Sequence, residues 1–580
     1  MCGFLGGTEA NWDYRSALNT ISHRGPDADK LSLDGKVKVG FRRLSIIDLS
    51  IKANQPMYSK DRSIWLVFNG EIYGYQKIRK QLESLGQKFY TNSDTEVILN
   101  AYSEWKDNFI SYLDGMFAIA IWDEKISKLK LYRDRPGIKP LYYYYNGSKF
   151  AFSSELKGLE ALLENENLQI DNTALYDFLG YKYIPDPKTL YKNCYKLPPA
   201  HFIEFDPSNN RITTPKKYWH LQCEVNRKKR NIEDYCEELR HLITSSISDQ
   251  MISDVPLGFF LSGGVDSSIV TAVGSSLEKN ISTFSIGFES DKVSETKYSR
   301  IVAQQFRTKH HEKILSQKNT INLLPSLNKW FDEPFADESA VPTFLVSKLA
   351  RENVKVVLTG DGGDEIFGGY RTYPRYIRYN KFPSLGKNFN NMTNKIKKVF
   401  NHEKLINKLM TNLEMIFNKD LNLWSIVMSG MTKSSKLTYA KELGVPEDYD
   451  DWWFYKAFWD KNLPIKTRLQ FLDFHTYLPG MILTKVDRTT MAVSLEARVP
   501  LLSRDIIEFS FSMPENIRYY KNQPKGIFKE AYRDTLSNQI LDRKKQGFGL
   551  PSYYLRGINE GKYLQENLYK NLREGINFEK

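Results

Sequence analysis

The sequence predicts an α+β domain followed by an α/β domain built on a parallel sheet and carrying helical insertions. Three observations lead there. Residues 1–205 are dense in short runs of alternating apolar and polar residues, rich in β-branched and aromatic types, with helical patterns between them. A polar stretch containing Pro and Asn, EFDPSNNRITTPKKYW (204–219), then breaks the pattern as a loop or linker would. Beyond it, amphipathic helices alternate with short apolar strands, the signature of βαβ units. We set the boundaries at 1–205 for the first domain, 206–230 for a linker and 231–580 for the second domain.

In the first domain the strands are expected within KVKVGFRRLSIID (36–48), SIWLVFNGEIYGY (63–75), MFAIAIWDEKISKLKLYRD (116–134) and KPLYYYYNGSKFAFSSE (139–155). The helices are expected within YQKIRKQLESLGQKF (75–89) and DTEVILNAYSEW (94–105). The second domain opens with the helix IEDYCEELRHLITSSISDQM (232–251). Strands follow at PLGFFLS (256–262), ISTFSIGF (281–288) and VKVVLTG (354–360), and residues 380–480 read as helical throughout.

Composition narrows the function classes. The chain has 580 residues, 41% hydrophobic and 13% aromatic, enough for several packed cores. No apolar run approaches the ~20 residues needed to span a bilayer, and a secretory leader pattern is not expected at the start. The four cysteines, Cys2, Cys194, Cys223 and Cys236, have no CxxC spacing, which argues against a zinc site or disulfide framework and fits a reducing cytosol. The net charge of +13 lies partly in NRKKR (226–230) and in KNFNNMTNKIKKVFNHEKLINKLM (387–410). The second stretch has apolar residues at helical spacing with lysines between them, so it reads as a solvated helix face. No RNA-binding module or aromatic-interleaved basic stretch accompanies it, and neither a nucleic-acid nor a membrane partner is expected.

Three stretches carry chemistry. The chain opens MCGFLGG. Once the methionine is trimmed, Cys2 holds both a thiol and an α-amine of pKa about 7.7–8.0, a nucleophile with its own base. LGFFLSGGVDSSIVTAV (257–273) is an apolar strand, a Gly-Gly turn and a helix start, which together make an anion-binding loop. It lacks the GK[ST] of a Walker A loop, so it suits an enzyme that holds pyrophosphate rather than one that transfers a γ-phosphate. VVLTGDGGDEIFGGY (356–370) sets Asp361, Asp364 and Glu365 in a second glycine-rich loop, and carboxylates of this kind suit Mg²⁺ shared with phosphates. Two such loops at strand ends point to Mg-ATP at the carboxyl edge of an open sheet.

The chain resembles the glutamine-dependent asparagine synthetase family over nearly its whole length. The first half resembles a class II glutaminase through MCG, HRGPD (23–27), RLSIID (43–48), NGEIY (69–73), SDTEV (93–97), GMFAIAIWD (115–123) and RDRPGIKPLYY (133–143). The second resembles an ATP-pyrophosphatase synthetase through SGGVDSS, TFSIGF (283–288), TGDGGDE, SLEARVP (494–500) and RKKQGFG (543–549). The resemblance implies an α+β N-terminal-nucleophile sandwich followed by an α/β parallel-sheet ATP-pyrophosphatase domain of the adenine nucleotide α-hydrolase-like type. It further implies a cytoplasmic enzyme, compatible with a homodimer, that takes glutamine, ATP and aspartate as substrates and Mg²⁺ as cofactor.

The resemblance also assigns residues. Cys2 attacks the glutamine amide, and Asn69 with the Gly70 N–H forms the oxyanion hole. Arg43 grips the glutamine α-carboxylate, flanked by Leu44, Ser45, Ile46 and Ile47, while Glu71 and Asp94 meet its α-ammonium side. Leu261, Ile286, Thr359 and Gly360 line the adenosine pocket. Ser262, Gly263, Gly264, Ser267 and Ser268 cradle pyrophosphate, and Asp266 and Asp364 face Mg²⁺. Lys485 and Arg488 neutralise the departing phosphate, and Asp361 serves as base for the ammonia step. An internal apolar passage for ammonia is implied as well. Two positions depart from the aspartate-using pattern: Asp361 stands where glutamate is usual, and ESAVP (338–342) replaces a string that begins with arginine. Asparagine synthesis is therefore the leading reading. The alternative is amidation of another carboxylate, such as a sugar uronic acid of a surface polysaccharide.

Overall fold

The computed structural model describes residues 2–223, 230–289, 294–323, 327–381, 415–416, 418–431, 433–547 and 549–550. Within these, the first half of the chain builds two antiparallel sheets packed face to face. One has the strand order Cys194–Lys196, Tyr142–Tyr145, Phe150–Ser153, Cys2–Gly7, Lys38–Arg43, Ala28–Ser32. The other runs Arg211–Ile212, His201–Asp206, Lys128–Arg133, Gly115–Asp123, Ile64–Ile72, Met57–Tyr58, with Lys216–Lys217 also paired to His201–Asp206. Inward-facing residues of both, among them Phe4, Phe41, Val67, Ala118, Leu131, Phe152 and Phe205, form the inter-sheet core. Phe150 stacks on Phe205 with ring centroids 4.4 Å apart.

Helices cover the outer faces. Asp94–Trp105, capped by Ser93, packs Val97 and Ile98 against one sheet. Tyr14–Thr20 and Leu156–Leu162 cover the other. The sandwich thus extends beyond residue 205: the strands at 211–212 and 216–217 lie in what the sequence reads as linker, because their short, polar, edge-strand composition resembles a loop. NRKKR lies almost wholly, and the stretch 387–410 entirely, outside the described residues.

The second half is organised on a five-stranded parallel sheet, in the order Lys309–Leu315, Ser282–Phe288, Leu257–Phe260, Val356–Leu358, Glu496–Arg498. Helices Ile232–Gln250 and Val265–Leu277 pack on one face, and Ala340–Arg351 and Thr484–Met491 on the other. Strand order reverses between Leu257–Phe260 and Val356–Leu358, so the loops leaving these two strands open a crevice at a topological switch point. Helical segments between 420 and 475 add a satellite core rich in tryptophan and tyrosine.

Candidate active sites

The first site gathers around Cys2. This residue sits on the first strand opposite Arg43, its backbone N–H donates to Asn69 Oδ1 at 3.0 Å, and it is 8% exposed. Burial pushes the thiol pKa up, while the Leu44 N–H and the Arg43 charge pull it back. Asn69 lies one strand inward on the facing sheet. Its Nδ2 is buried with no hydrogen-bond partner, a donor free to meet an oxyanion. Gly70 follows at φ +155°, where a Cβ would come within 1.9 Å of the Met116 carbonyl. Only glycine allows this close pairing, which holds the 69–70 peptide beside the nucleophile.

The pocket wall beyond is acidic. The Asp94 carboxylate accepts the Ile72 N–H at 3.0 Å and hydrogen-bonds Glu71, and burial pushes it up to about 6. Burial and the neighbouring Asp94 push Glu71 well above the usual range, and Arg498 opposes this. Glu71 Oε2 meets Arg498 Nη2 at 3.1 Å, and its Oε1 is buried without a partner. The Arg498 guanidinium is fully buried, donating also to Glu496 and to the Gln250 and Ile252 carbonyls, each at 2.7 Å. A residue of the parallel-sheet half therefore completes this wall. Sequence reading missed the role because SLEARVP carries no mark of a partner 427 positions away.

Arg43, the residue expected to grip the glutamine α-carboxylate, is tied to the loop that follows it. Its Nη1 donates to the Ser50 carbonyl and Asn54 Oδ1, each at 2.7 Å, and its Nη2 reaches the Ile47 and Asp48 carbonyls. It folds the Leu44–Asn54 loop, with Ser45, Ile46 and Ile47, around the Cys2 pocket, because unpaired carbonyls in that tight turn are the acceptors within reach.

The second site is a cleft of about 770 Å³ at the switch point. Leu261, Ser262, Gly264, Asp266, Ser267, Ile286, Thr359, Gly360, Asp361, Asp364 and Lys485 line it. Gly263 makes the turn at φ +70°, where a Cβ would lie 2.5 Å from the Ser299 nitrogen. Ser267 Oγ accepts the Ser262 N–H at 3.2 Å, which closes the loop on itself. Ser268 is fully buried on the core side of its helix, so it does not face the cleft as expected. Asp266 and Asp364 meet across the loops, and Lys525 contacts both carboxylates while Lys545 contacts Asp364 at 2.6 Å. Asp266 Oδ1 is buried and free of hydrogen bonds. The lysines hold Asp364 well below the usual carboxylate range, and burial raises Asp266. Nothing in NQPKGIFK marks Lys525 beforehand. Among the described residues no three His, Cys, Asp or Glu side chains converge as a metal cluster.

Arg488 is a second correction. It lies outside the cleft and is fully buried between the halves of the chain, 2.9 Å from Glu155, 3.2 Å from Asp332 and 3.1 Å from the Tyr142 hydroxyl. Three residues apart on the helix Thr484–Met491, Lys485 and Arg488 share a face, but the Glu155 and Asp332 carboxylates draw the Arg488 guanidinium away from the cleft. Lys485 stays on the cleft side, donating to Ser339 Oγ at 3.0 Å and lying 3.6 Å from Asp337. Arg24 joins the same interface. Its Nε donates to the Cys2 carbonyl at 3.2 Å, and its Nη atoms bind Asp487 at 2.8 and 3.0 Å and Glu155 at 2.7 Å.

Comparison with known proteins agrees with this two-site arrangement. The family pattern described as "Asparagine synthase" matches residues 238–575, and "Glutamine amidotransferase domain" matches residues 1–219. "Asparagine synthetase [glutamine-hydrolyzing] 1" of Bacillus subtilis (strain 168) is 33% identical over 95% of this chain and 87% of its own length. "Putative asparagine synthetase [glutamine-hydrolyzing] 2" of Methanocaldococcus jannaschii is 38% identical over 64% of this chain and 76% of its own length. A "Putative asparagine synthetase [glutamine-hydrolyzing]" of Mycobacterium bovis is 31% identical over 95% of this chain and 88% of its own length. With a matching pattern over more than half of its residues and such relatives over almost all of them, the chain belongs to the asparagine synthase family.

Proposed function

We propose that this protein is a glutamine-hydrolysing asparagine synthetase working in the cytoplasm. Cys2 attacks the side-chain amide of glutamine, assisted by the α-amine it carries once methionine is removed. The free Asn69 Nδ2 and the Gly70 N–H take the charge that develops on the carbonyl oxygen. The thioester is hydrolysed to glutamate, and the ammonia passes to the second site. There the acceptor carboxylate attacks the α-phosphate of ATP, pyrophosphate leaves, and ammonia displaces AMP from the acyl-adenylate.

The residues at the cleft suit this use. The Ser262–Ser268 loop offers N–H groups at a helix start to the phosphates. Lys525 and Lys545 carry positive charge to the same place. Asp266 and Asp364, one with a free buried oxygen, suit Mg²⁺ held jointly with substrate phosphates, and that ion would neutralise their charge. Asp361 lines the cleft from the same loop, and in this reading it takes the proton of the incoming ammonia. The observation that carries the reading is the presence, in one chain, of Cys2 hydrogen-bonded through its backbone N–H to Asn69 on a sandwich and a switch-point cleft with two facing carboxylates. Among the described residues no helix is long and apolar enough to cross a membrane.

The experiment supplies glutamine, Mg-ATP and aspartate and quantifies products. Asparagine, AMP and pyrophosphate should appear in equal amounts. ADP in place of AMP, or glutamine hydrolysis with no aspartate-dependent AMP, would overturn the assignment. Replacing Cys2 by Ala should abolish the glutamine-dependent reaction and leave the ammonia-dependent one, since the nucleophile and the cleft sit on separate sheets.

A further inference from the structure

Among the residues lining the cleft stand two opposite charges that belong to neither phosphate loop. Lys182 follows the helix Asn172–Tyr181 in a left-handed conformation, φ 72°. Its N–H donates to the Phe178 carbonyl at 2.8 Å, and its own carbonyl accepts the Ala336 N–H at 2.9 Å. The backbone is thus pinned on both sides, and the half-buried side chain lines the cleft. Glu338, four residues before Pro342, lines the same cleft and is exposed.

The neighbouring charges are committed. Asp337 accepts the Ser339 N–H at 2.8 Å and faces Lys485 at 3.6 Å. Lys485 in turn donates to Ser339 Oγ. Among the described residues Lys182 and Glu338 make no side-chain hydrogen bond and no ion pair within 4 Å, with each other or with other groups. They do feel each other. Burial lowers the Lys182 pKa and raises that of Glu338, and each charge opposes the shift of the other. Lys182, half-buried, is drawn partly out of water at a cost in free energy until a partner arrives, and Glu338 stands open to the cleft. A cation and an anion kept close but unpaired fit a ligand that brings one charge of each sign.

Resting on the functional reading above, we propose that Lys182 and Glu338 together recognise the zwitterionic head of an α-amino acid acceptor. Lys182 takes the α-carboxylate, Glu338 takes the α-ammonium, and the side-chain carboxylate points to the nucleotide loops. This supplies the cation that the sequence lacks where Glu338 replaces arginine. It also separates an amino acid from a sugar acid, which has no ammonium to offer Glu338.

The test measures acceptor-dependent pyrophosphate release with Mg-ATP for L-aspartate, for succinate, which lacks the ammonium, and for β-alanine, which lacks the α-carboxylate. Poor substrates are scored as competitive inhibitors. Glu338→Gln should reduce the aspartate-over-succinate preference about ten- to a hundredfold and leave aspartate over β-alanine unchanged. Lys182→Met should do the reverse. Glu338→Asp and Lys182→Arg should restore part of each preference, and thermal midpoints show whether a variant is folded. If both variants weaken all three acceptors by the same factor, or leave both preferences intact, the pair has no such role. A wild-type enzyme that releases pyrophosphate with a uronic acid and not with aspartate would overturn the functional reading itself.

Discussion

Asn69 and the acidic pair behind it show what one residue contributes to the first site. The Asn69 carbonyl is spent on the Cys2 N–H, which leaves the amide Nδ2 as the free donor. Asn69→Ala should therefore lower glutaminase kcat about 10²–10³-fold with a smaller change in KM, read as glutamate release; an effect confined to KM would argue for a binding role alone. Glu71 and Asp94 share a hydrogen bond and resist double ionisation, Asp94 being pushed up to about 6. An incoming α-ammonium favours the ionised forms, so binding should release protons. KM for glutamine should fall as pH rises through about 6, and calorimetry in buffers of differing ionisation enthalpy should show net proton release. A flat profile would remove the pair from substrate recognition. Cys2 and Asn69 were legible because their chemistry is local to short motifs. The partners of Arg43 and Arg488 were not, since a guanidinium in sequence does not say which carbonyl or carboxylate lies within reach.

Among the elements, those with a strong local period read correctly from sequence. The helix DTEVILNAYSEW spans Asp94–Trp105 as expected, and IEDYCEELRHLITSSISDQM forms Ile232–Gln250. The strand Lys309–Leu315, KHHEKIL, escaped because an edge strand can be charged throughout. Glu496–Arg498 escaped because three residues carry no period. The two loops at the switch point were legible as loops, but the lysine between their carboxylates was not. Lys525 is buried against Asp266 and Asp364, and its ammonium offsets their repulsion. Lys525→Met should destabilise the protein by about 3–5 kcal/mol at neutral pH, the cost of a buried charge left unpaired. Adding Asp266→Asn should recover part of that loss in the thermal midpoint. Additive losses in the double variant would show that Lys525 does not serve to hold the two carboxylates together.

Across the whole molecule, buried ion pairs join the two halves alongside shared apolar packing. Arg24, with its guanidinium fully buried, donates to the carbonyl of Cys2 itself and grips Asp487 with two nitrogens. Asp487 also faces Lys139 at 3.4 Å, and these cations outweigh burial to hold its carboxyl below the usual range. It lies on the helix Thr484–Met491, two residues from Lys485, which lines the nucleotide cleft. The strand carrying the nucleophile and the wall of the cleft are therefore linked through Arg24, which holds the Cys2 carbonyl and the Asp487 carboxylate together. Arg24 and Asp487 lie 463 positions apart, too far for any sequence pattern to connect. Glu71–Arg498 makes a second such link, since Thr359 of the nucleotide loop donates its N–H to the Arg498 carbonyl at 2.9 Å. If these links make glutamine hydrolysis depend on the state of the cleft, weakening one should let hydrolysis run ahead of synthesis. Asp487→Asn keeps the shape and removes the charge. It should raise the ratio of glutamate to asparagine formed above that of the wild type and lower the thermal midpoint, while ammonia-dependent synthesis persists. Arg24→Lys, which cannot grip Asp487 with two nitrogens in the same plane, should shift the ratio the same way. The two products are quantified in one reaction under saturating Mg-ATP and aspartate. A lower midpoint with an unchanged product ratio would assign this ion pair to stability alone and leave the coupling to the Glu71–Arg498 link.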